Sequence, residues 1–478
     1  MQMCAAFAEN GLDVELMVPQ RVGTVAEDPF GYYNIMRAFK ITKVPCIDLI
    51  YKNNNKLFFY LQFFSFLAVC RLILVFKKYD LLYSRDYIMG FLFKNLILEI
   101  HAIPKDAGKF YRYVCGKARA LVVLTSFIKN KLITFSIERD KILVAPDAVD
   151  LLKFDINISR EEARKKLGLP LDKKLIGYVG MLRTMGMEKG IDVAIRSLSE
   201  IKDKKKDIRL LLVGGLPDDV EFYKNFAKDL GILDMIIFTG MVKHELVPLY
   251  LKSLDVAIAP FPKNEHYNFY MSPLKIFEYM ASGRPVISTD LPSLREILNN
   301  HNSILVSPNS STELSQAIIK VFGDDSFSQS ITKQALKDVD NYTWMKRAGN
   351  ILSFARHMNA QSDAEAENVR SFSSGNSVKE YSKMYLRPGE EYVIKKYMAD
   401  GDRVLDIGCG AGRTTSYIYD NGASVIGADI AEPLVREAKK NFPEINFRVM
   451  DVRRLNFQDE TFDTVFFSFN GIDNLASL

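Results

Sequence analysis

Cysteine is scarce in this chain and never paired in sequence. The five cysteines, Cys4, Cys46, Cys70, Cys115 and Cys409, are scattered, with no C-x-x-C spacing. That argues against a metal cluster and a disulfide framework, and it fits a reducing cytoplasm. Met1 to Asn10 lack the basic stretch and long apolar run of a signal peptide. Charge of one sign does not dominate either. Lys and Arg number 63 against 58 Asp and Glu, a net charge of +5. This mild excess is a poor basis for binding nucleic acid and suits a smaller anion, such as nucleotide phosphates or lipid head groups. No apolar run is uninterrupted: Leu57 to Phe76 comes nearest, and Gln62, Ser65 and Arg71 break it. The segment reads as a helix buried on a parallel sheet. A second reading is peripheral contact with an anionic membrane, since Lys40, Lys43, Lys52, Lys56, Arg71, Lys77 and Lys78 surround it.

The 478 residues exceed what one core organises, so two or three domains are expected. Strand-like runs alternate with helical patterns, the mark of an α/β chain with parallel sheets. One series comprises 14–19, 80–84, 96–100, 120–124 and 141–145. A second comprises 175–179, 208–213, 235–239, 256–259, 286–289 and 303–306. Met1 to Asn10 reads as a helix ended by Gly11. A doubly wound domain ordinarily opens on a central strand, so the N-terminus reads as truncated; the alternative is a start that pairs its sheet differently. Residues 356–377 carry few core-forming side chains and read as a linker.

The most informative segment is Ser272-Pro273-Leu274-Lys275-Ile276-Phe277-Glu278-Tyr279-Met280-Ala281-Ser282-Gly283-Arg284-Pro285-Val286-Ile287. Pro273 suits the first position of a helix, Gly283 the left-handed residue beyond its end, and Pro285 bars continuation. A helix start with free N–H groups binds anions, and Lys275 and Glu278 share one face. A diphosphate on the amides and a polyol on Glu278 would suit a nucleotide. An ordinary amphipathic helix with a good stop signal is the alternative.

This segment resembles the donor site of the retaining glycosyltransferases of the GT-B fold. Neighbouring motifs extend the resemblance. Gly177-Tyr178-Val179-Gly180 followed by Glu188-Lys189-Gly190 resembles the family's strand–turn–helix, which implies Lys189 and Arg183 as the cations facing the donor phosphates. Such cations, with a helix N-terminus, would stabilise a leaving diphosphate with no metal. Leu212-Val213-Gly214-Gly215 and Phe238-Thr239-Gly240 resemble the strand ends where the nucleobase docks. His101, in Glu99-Ile100-His101, resembles a histidine near the donor sugar; a structural histidine is the alternative. The resemblance thus implies His101 and Glu278 as catalytic residues. It implies Gly180, Arg183, Lys189, Gly214, Ser272, Pro273, Leu274, Lys275 and Glu278 as substrate-binding. One departure counts: eight residues before Glu278 the family often has a second glutamate, and this chain has Tyr270, with Glu265 and His266 at the wrong spacing.

A second enzyme signature follows. Val404-Leu405-Asp406-Ile407-Gly408-Cys409-Gly410-Ala411-Gly412 is an apolar strand entering a glycine-rich turn, and two later strands end in Asp429 and Asp451. The order resembles the class I S-adenosylmethionine-dependent methyltransferases more than a nicotinamide-binding turn. It implies Asp406, Gly408, Gly410 and Gly412 around the cofactor's methionine part, Asp429 on the ribose and Asp451 on the adenine. Asn470 and Asp473 lie where the methyl acceptor would approach. About three further strands are expected of such a domain, so this one reads as incomplete.

The sequence is therefore expected to form an α/β chain. Residues 1–150 would be the acceptor-side Rossmann-like domain of a GT-B pair and 151–355 the nucleotide-sugar domain. Residues 356–377 would be a linker and 378–478 a partial methyltransferase. The resemblance implies a cytoplasmic enzyme, either free or peripheral at the inner face of a membrane, that moves a sugar from a nucleotide sugar to a glycan or lipid-linked acceptor and methylates the glycan. The rivals are a GT-B phosphorylase or sugar-phosphate synthase, and an impaired nucleotide-sugar-binding protein.

Overall fold

Several strands of this chain are buried from end to end, all five residues of Leu96–Ile100 and all four of Val256–Ala259 among them. Such strands are satisfied only between two helical layers, in a parallel sheet. The computed structural model describes residues 1–22, 28–50, 55–93, 95–104, 106–184, 186–373, 385–452, 455 and 457–468, with the backbone path alone for 359–373. Two compact units result, Met1–Ala355 and Arg356–Leu478.

The first unit starts with helix α1 (Gln2–Glu9), followed by β1 (Glu15–Pro19) and β2 (Lys40–Val44), which among the described residues form a two-stranded parallel sheet of their own. Helix α2 (Lys56–Phe76) leads into β3 (Leu82–Ser84), β4 (Leu96–Ile100) and β5 (Ala120–Val123). Helix α3 (Ser126–Ile133) then precedes β6 (Ile142–Val144), and β3 to β6 form a parallel sheet in sequence order. Strand β2 is absent from the sequence expectation because its exposed lysines at 40 and 43 disguise a strand whose Val44 alone is buried.

The rest of the unit is a six-stranded parallel sheet with a small hairpin beside it. Strand β7 (Lys174–Val179) leads to the hairpin β8 (Arg183–Thr184) and β9 (Met187–Glu188), then helix α4 (Ile191–Ile201) and β10 (Ile208–Val213). Helix α5 (Pro217–Asp229), β11 (Ile236–Gly240), β12 (Val256–Ala259), helix α6 (Leu274–Ala281), β13 (Val286–Thr289) and β14 (Ile304–Val306) complete it. The spatial order is β11-β10-β7-β12-β13-β14. The order reverses at β7, and the crevice beyond the carboxyl end of such a strand is where α/β sheets bind ligands.

Helix α7 begins at Trp344 and runs to Ser373, so the stretch expected as a linker is helical through 373. Few of its residues form a core, but none before Gly375 breaks a helix. Near its start, Arg347 donates to the carbonyls of Ala145 and Pro146, at 3.1 and 2.8 Å, and pairs with Glu99 at 3.3 Å. Both side chains of that pair are buried, and it ties the returning helix to the C-terminal ends of β4 and β6.

The second unit is a parallel sheet of order β17-β16-β15-β18, from β15 (Arg403–Ile407), β16 (Ser424–Asp429), β17 (Asn446–Val449) and β18 (Thr464–Phe467). Helices α8 (Arg413–Asp420) and α9 (Glu432–Asn441) connect the first three strands, and Val404, Val425, Ile418, Val435 and Phe447 fill the core. Here too the order reverses, at β15.

The Arg347–Glu99 pair carries a testable consequence. Burial pushes Glu99 up, but the bond from His101, the Arg347 charge and the Tyr83 hydroxyl outweigh it and hold the carboxyl at about 2. Its ordinary value is 4.5, so its stabilisation is complete above that pH and is lost as pH falls towards 2. Arg347→Met leaves the carboxylate buried without its cation, a loss of about 3–5 kcal/mol at pH 7. Urea unfolding followed by Trp344, the single tryptophan, should show that loss at pH 7 and a smaller one at pH 3. An equal loss at both would refute the pairing as its cause.

Candidate active sites at the two sheet reversals

At the end of β7 the chain turns at Gly180, with φ of 137°, and a Cβ there would stand 2.9 Å from the Lys275 ammonium. Glycine is thus favoured by the backbone, and any larger residue would also displace the lysine it faces. Next along, Gly190 starts α4 at φ 77°, where a Cβ would collide with the Pro260 carbonyl at 1.7 Å. Neither α4 nor α6 has a side-chain cap at its N-terminus, and an uncapped helix start favours an anion. Helix α6 begins at Leu274, one residue later than expected, with Pro273 as the extended residue before it rather than its first; Gly283 is left-handed beyond its end as expected.

Helix α6 is pinned to the reversal by Tyr279. Its buried hydroxyl accepts from the Val179 N–H at 2.8 Å and donates to the Val179 carbonyl at 3.1 Å. One turn earlier, Lys275 points into the turn, its ammonium 3.8 Å from the Tyr178 ring centroid and bonded to the Tyr178 hydroxyl. Lys189 reaches the same crevice over Tyr267, 4.9 Å from that ring. Burial lowers both lysines; for Lys275, burial and then the nearby Lys189 charge bring it down to about 7. Glu278 is raised by burial, against the pull of Lys275 and Lys153. Two lysines thus stand close together beside uncapped helix starts, an arrangement that suits an anion.

The structure does not bring Arg183 to this pair. Its guanidinium stacks on Phe222 of α5, 3.9 Å from the ring centroid, and is neutralised by Glu188 at 3.0 Å and Asp219 at 3.9 Å. The hairpin β8–β9 sets Arg183 opposite Glu188, a pairing that sequence spacing alone does not reveal. The second cation beside Lys189 is Lys275. Gly214 packs against Gly180, a Cβ there lying 2.4 Å from the Gly180 carbonyl oxygen.

Ser272 accepts the Asp147 N–H on its hydroxyl at 2.8 Å, which joins the start of α6 to the end of β6. Asp147 is raised by burial, against the Arg347 charge. His101 has both ring nitrogens engaged. Arg85 can only donate, so it fills Nδ1 at 2.8 Å, and Nε2–H is left to donate to Glu99. His101 is thereby fixed in one tautomer. Arg85, Glu99 and Arg347 were not singled out from sequence. Tyr270, in the position of the absent glutamate, is buried in the core of the N-terminal sheet and meets Phe127 edge-on at 5.6 Å. It serves packing between the two sheets of this unit.

In the second unit, Asp406 is fully buried at the end of β15. One carboxylate oxygen accepts from Thr414 and Thr415, at 2.7 and 2.6 Å, while the other is buried with no partner. Burial, against those two hydroxyls, raises it to about 6. Gly408, Gly410 and Gly412 are all left-handed, and a Cβ on Gly412 would stand 2.9 Å from Phe447. Asp429 accepts the N–H of Gly410 at 2.9 Å and of Ala431 at 2.8 Å, so it braces the turn. Asp451 lies half-buried just after β17. Asn470 and Asp473 fall outside the described residues.

A consequence of the first site is proton uptake on binding. The folded Lys275 value, about 7, lies below the ordinary 10.5, so the ligand-free fold gains stability as pH rises between them. A bound diphosphate restores the charge. Calorimetry of a nucleoside diphosphate at pH 8, in two buffers of different ionisation enthalpy, should register uptake of up to about one proton. Lys275→Met should abolish it; uptake undiminished in that variant would overturn the assignment.

Each unit has a match among known protein families. Residues 159–338 match the family described as glycosyl transferases group 1, and residues 404–477 a methyltransferase domain. An uncharacterized glycosyltransferase of Methanocaldococcus jannaschii is 27% identical over 310 residues, covering 59% of this chain and 77% of its own. A D-inositol 3-phosphate glycosyltransferase of Corynebacterium aurimucosum is 28% identical over 215 residues, 43% of this chain and 49% of its own. The chain thus spans about half the length of that relative. Among solved structures, sucrose-phosphate synthase from Thermosynechococcus elongatus superposes with a TM-score of 0.59 at 19% identity, over 75% of this chain and 92% of that one. Anabaena HepE in complex with UDP and glucose gives 0.57 at 15%, over 74% and 95%. The fold of the first unit is GT-B.

Proposed function

We propose that this chain, a transferase joining a group 1 glycosyltransferase to a methyltransferase domain, moves a sugar with retention from a nucleotide-sugar donor to a glycan or lipid-linked acceptor. The observation that carries the reading is the convergence of Lys189 and Lys275 on two uncapped helix starts at the reversal of the six-stranded sheet. A leaving nucleoside diphosphate gathers charge as the glycosidic bond breaks, and this crevice neutralises it without rearrangement. Glu278, raised by burial, is placed one helical turn from the phosphate end to hold hydroxyls of the donor. His101, held by Arg85 and Glu99, faces the reacting sugar from the N-terminal sheet and is a positioning group as long as Nε2–H stays on Glu99.

The second unit fits S-adenosylmethionine. The unpartnered oxygen of Asp406 awaits a donor, the glycine turn leaves backbone room, and Asp429 stands at the next strand end. Asp406 and the turn Gly408–Gly412 would hold the methionine part, Asp429 the ribose and Asp451 the adenine. The bound cofactor would supply an electrophilic methyl group, and the methyl acceptor we infer is the same glycan.

A screen of nucleotide sugars for hydrolysis and transfer identifies the donor. Glu278→Ala and Lys189→Ala should each lower turnover of that donor by about 100-fold or more, the scale of losing a preorganised charge partner. Turnover unchanged in both would remove the site assignment, and phosphate rather than a glycan as the productive acceptor would replace transferase by phosphorylase. For the second unit, Asp406→Ala should weaken S-adenosylmethionine binding at least about tenfold by calorimetry, since a charge-assisted hydrogen bond contributes about 1.5–3 kcal/mol. Equal binding by the variant would exclude the proposed role.

A further inference from the structure

A cavity of about 330 Å³ opens in the first unit where α3 meets loops of the six-stranded sheet, and it shares no residue with the lysine crevice. That volume falls within the range of small-molecule sites. One wall is the start of α3, with Ser126, Phe127 and Asn130; the other is the turn His266–Tyr270, with Asn268 and Phe269. The second wall is a single π-turn, closed by the Met271 N–H on the His266 carbonyl at 3.2 Å. Such turns are rare and recur at functional sites. The walls are joined without help from their carboxamides. The Thr125 hydroxyl donates to the Phe269 carbonyl at 2.7 Å, and Glu296 accepts the Ser126 N–H at 3.0 Å and its hydroxyl at 2.7 Å. Phe127 and Phe269 stack with centroids 4.2 Å apart. Among the described residues neither Asn130 nor Asn268 makes a side-chain hydrogen bond, and the Asn268 Oδ1 is buried with no partner. A buried acceptor left unpaired costs stability, so packing does not account for it.

Charge and shape select the ligand. The two charged residues that line the cavity are both committed, Glu296 to Ser126 and Arg295 to both carboxylate oxygens of Asp290. An ion would therefore find no free counter-charge on these walls. A carboxamide both donates and accepts, as a sugar hydroxyl does. A pyranose carries such hydroxyls on its rim and C–H groups on its faces. Two carboxamides beside an aromatic pair match that division, an apolar surface with a few convergent polar groups. The pair itself is closed, since rings 4.2 Å apart leave no gap for a planar base between them.

We infer that this cavity binds an uncharged sugar unit, held by the Asn130 and Asn268 carboxamides against the Phe127–Phe269 pair. That the sugar belongs to the acceptor glycan, as a unit other than the one receiving the donor sugar, rests on the proposed transfer; the cavity itself does not. The test is saturation-transfer NMR of the full chain with the methyl α-glycosides of glucose, galactose, mannose and N-acetylglucosamine. Calorimetry of UDP, GDP and ADP is run on the same protein. At least one glycoside should receive magnetisation, and it should keep doing so when nucleoside diphosphate saturates the lysine crevice. Asn130→Ala and Asn268→Ala should each weaken its binding about fivefold or more. Asn268→Ala should melt no lower than the parent, because the oxygen it removes has no partner. No transfer to any glycoside, binding undiminished in both variants, or displacement by nucleoside diphosphate would each overturn the inference. So would adenosine competing for the same residues, or a lowered melting temperature in Asn268→Ala. Nucleoside diphosphate binding without glycoside binding removes this inference alone, while the reverse result removes only the donor reading.

Discussion

Two positive charges held in one crevice repel, and much of the first unit is arranged to keep Lys189 and Lys275 there. Lys275 could escape only if α6 moved, and the Tyr279 hydroxyl fixes α6 to the last residue of β7 through both backbone groups of Val179. Lys189 is committed by the left-handed Gly190, whose backbone lies against the Pro260 carbonyl. Tyr178 and Tyr267 offer ring faces to the ammonium groups, a partial compensation that leaves the charge available to an incoming anion. Glu188, next to Lys189 in sequence, is drawn off by Arg183.

The same economy of charge organises the facing wall. Glu99 takes donors from Tyr83, His101 and Arg347, so a buried carboxylate is satisfied on every side. Arg347 comes from the far end of the unit, and its contacts to Ala145 and Pro146 stand just before Asp147, which meets Ser272. The segment between the two sheets is therefore held from both directions. Tyr270 fits this picture: an aromatic side chain wedged against Phe127 gives packing where the resemblance led one to expect an acid.

Much of this was legible in the residues. The limits of α6 follow from Pro273, Gly283 and Pro285, whose conformational restrictions are local. The parallel strands announced themselves as continuous apolar runs, and the acid-ended strand with its glycine turn at Asp406 to Gly412 depends on short-range backbone requirements. What escaped was set by partners distant in sequence. Arg183 looked like a phosphate ligand until the hairpin β8–β9 set it beside Glu188; β2 escaped because a strand with exposed lysines has little apolar pattern; the helix through 373 escaped because polar residues without a breaker fit helix and linker equally.

By itself, then, the sequence determined the element types, the glycine turns at both sheet reversals and the identity of the charged residues near them, since these depend on steric and hydrogen-bonding preferences within a few residues. Only the tertiary structure decided which of those charges remain uncompensated. It paired Arg183 with Glu188 and Asp219, enclosed Glu99 among three donors, left one oxygen of Asp406 alone, and turned one face of α2 outward. The physical reason is that burial and Coulomb interaction act through space, between side chains that the chain brings together only once its sheets have formed.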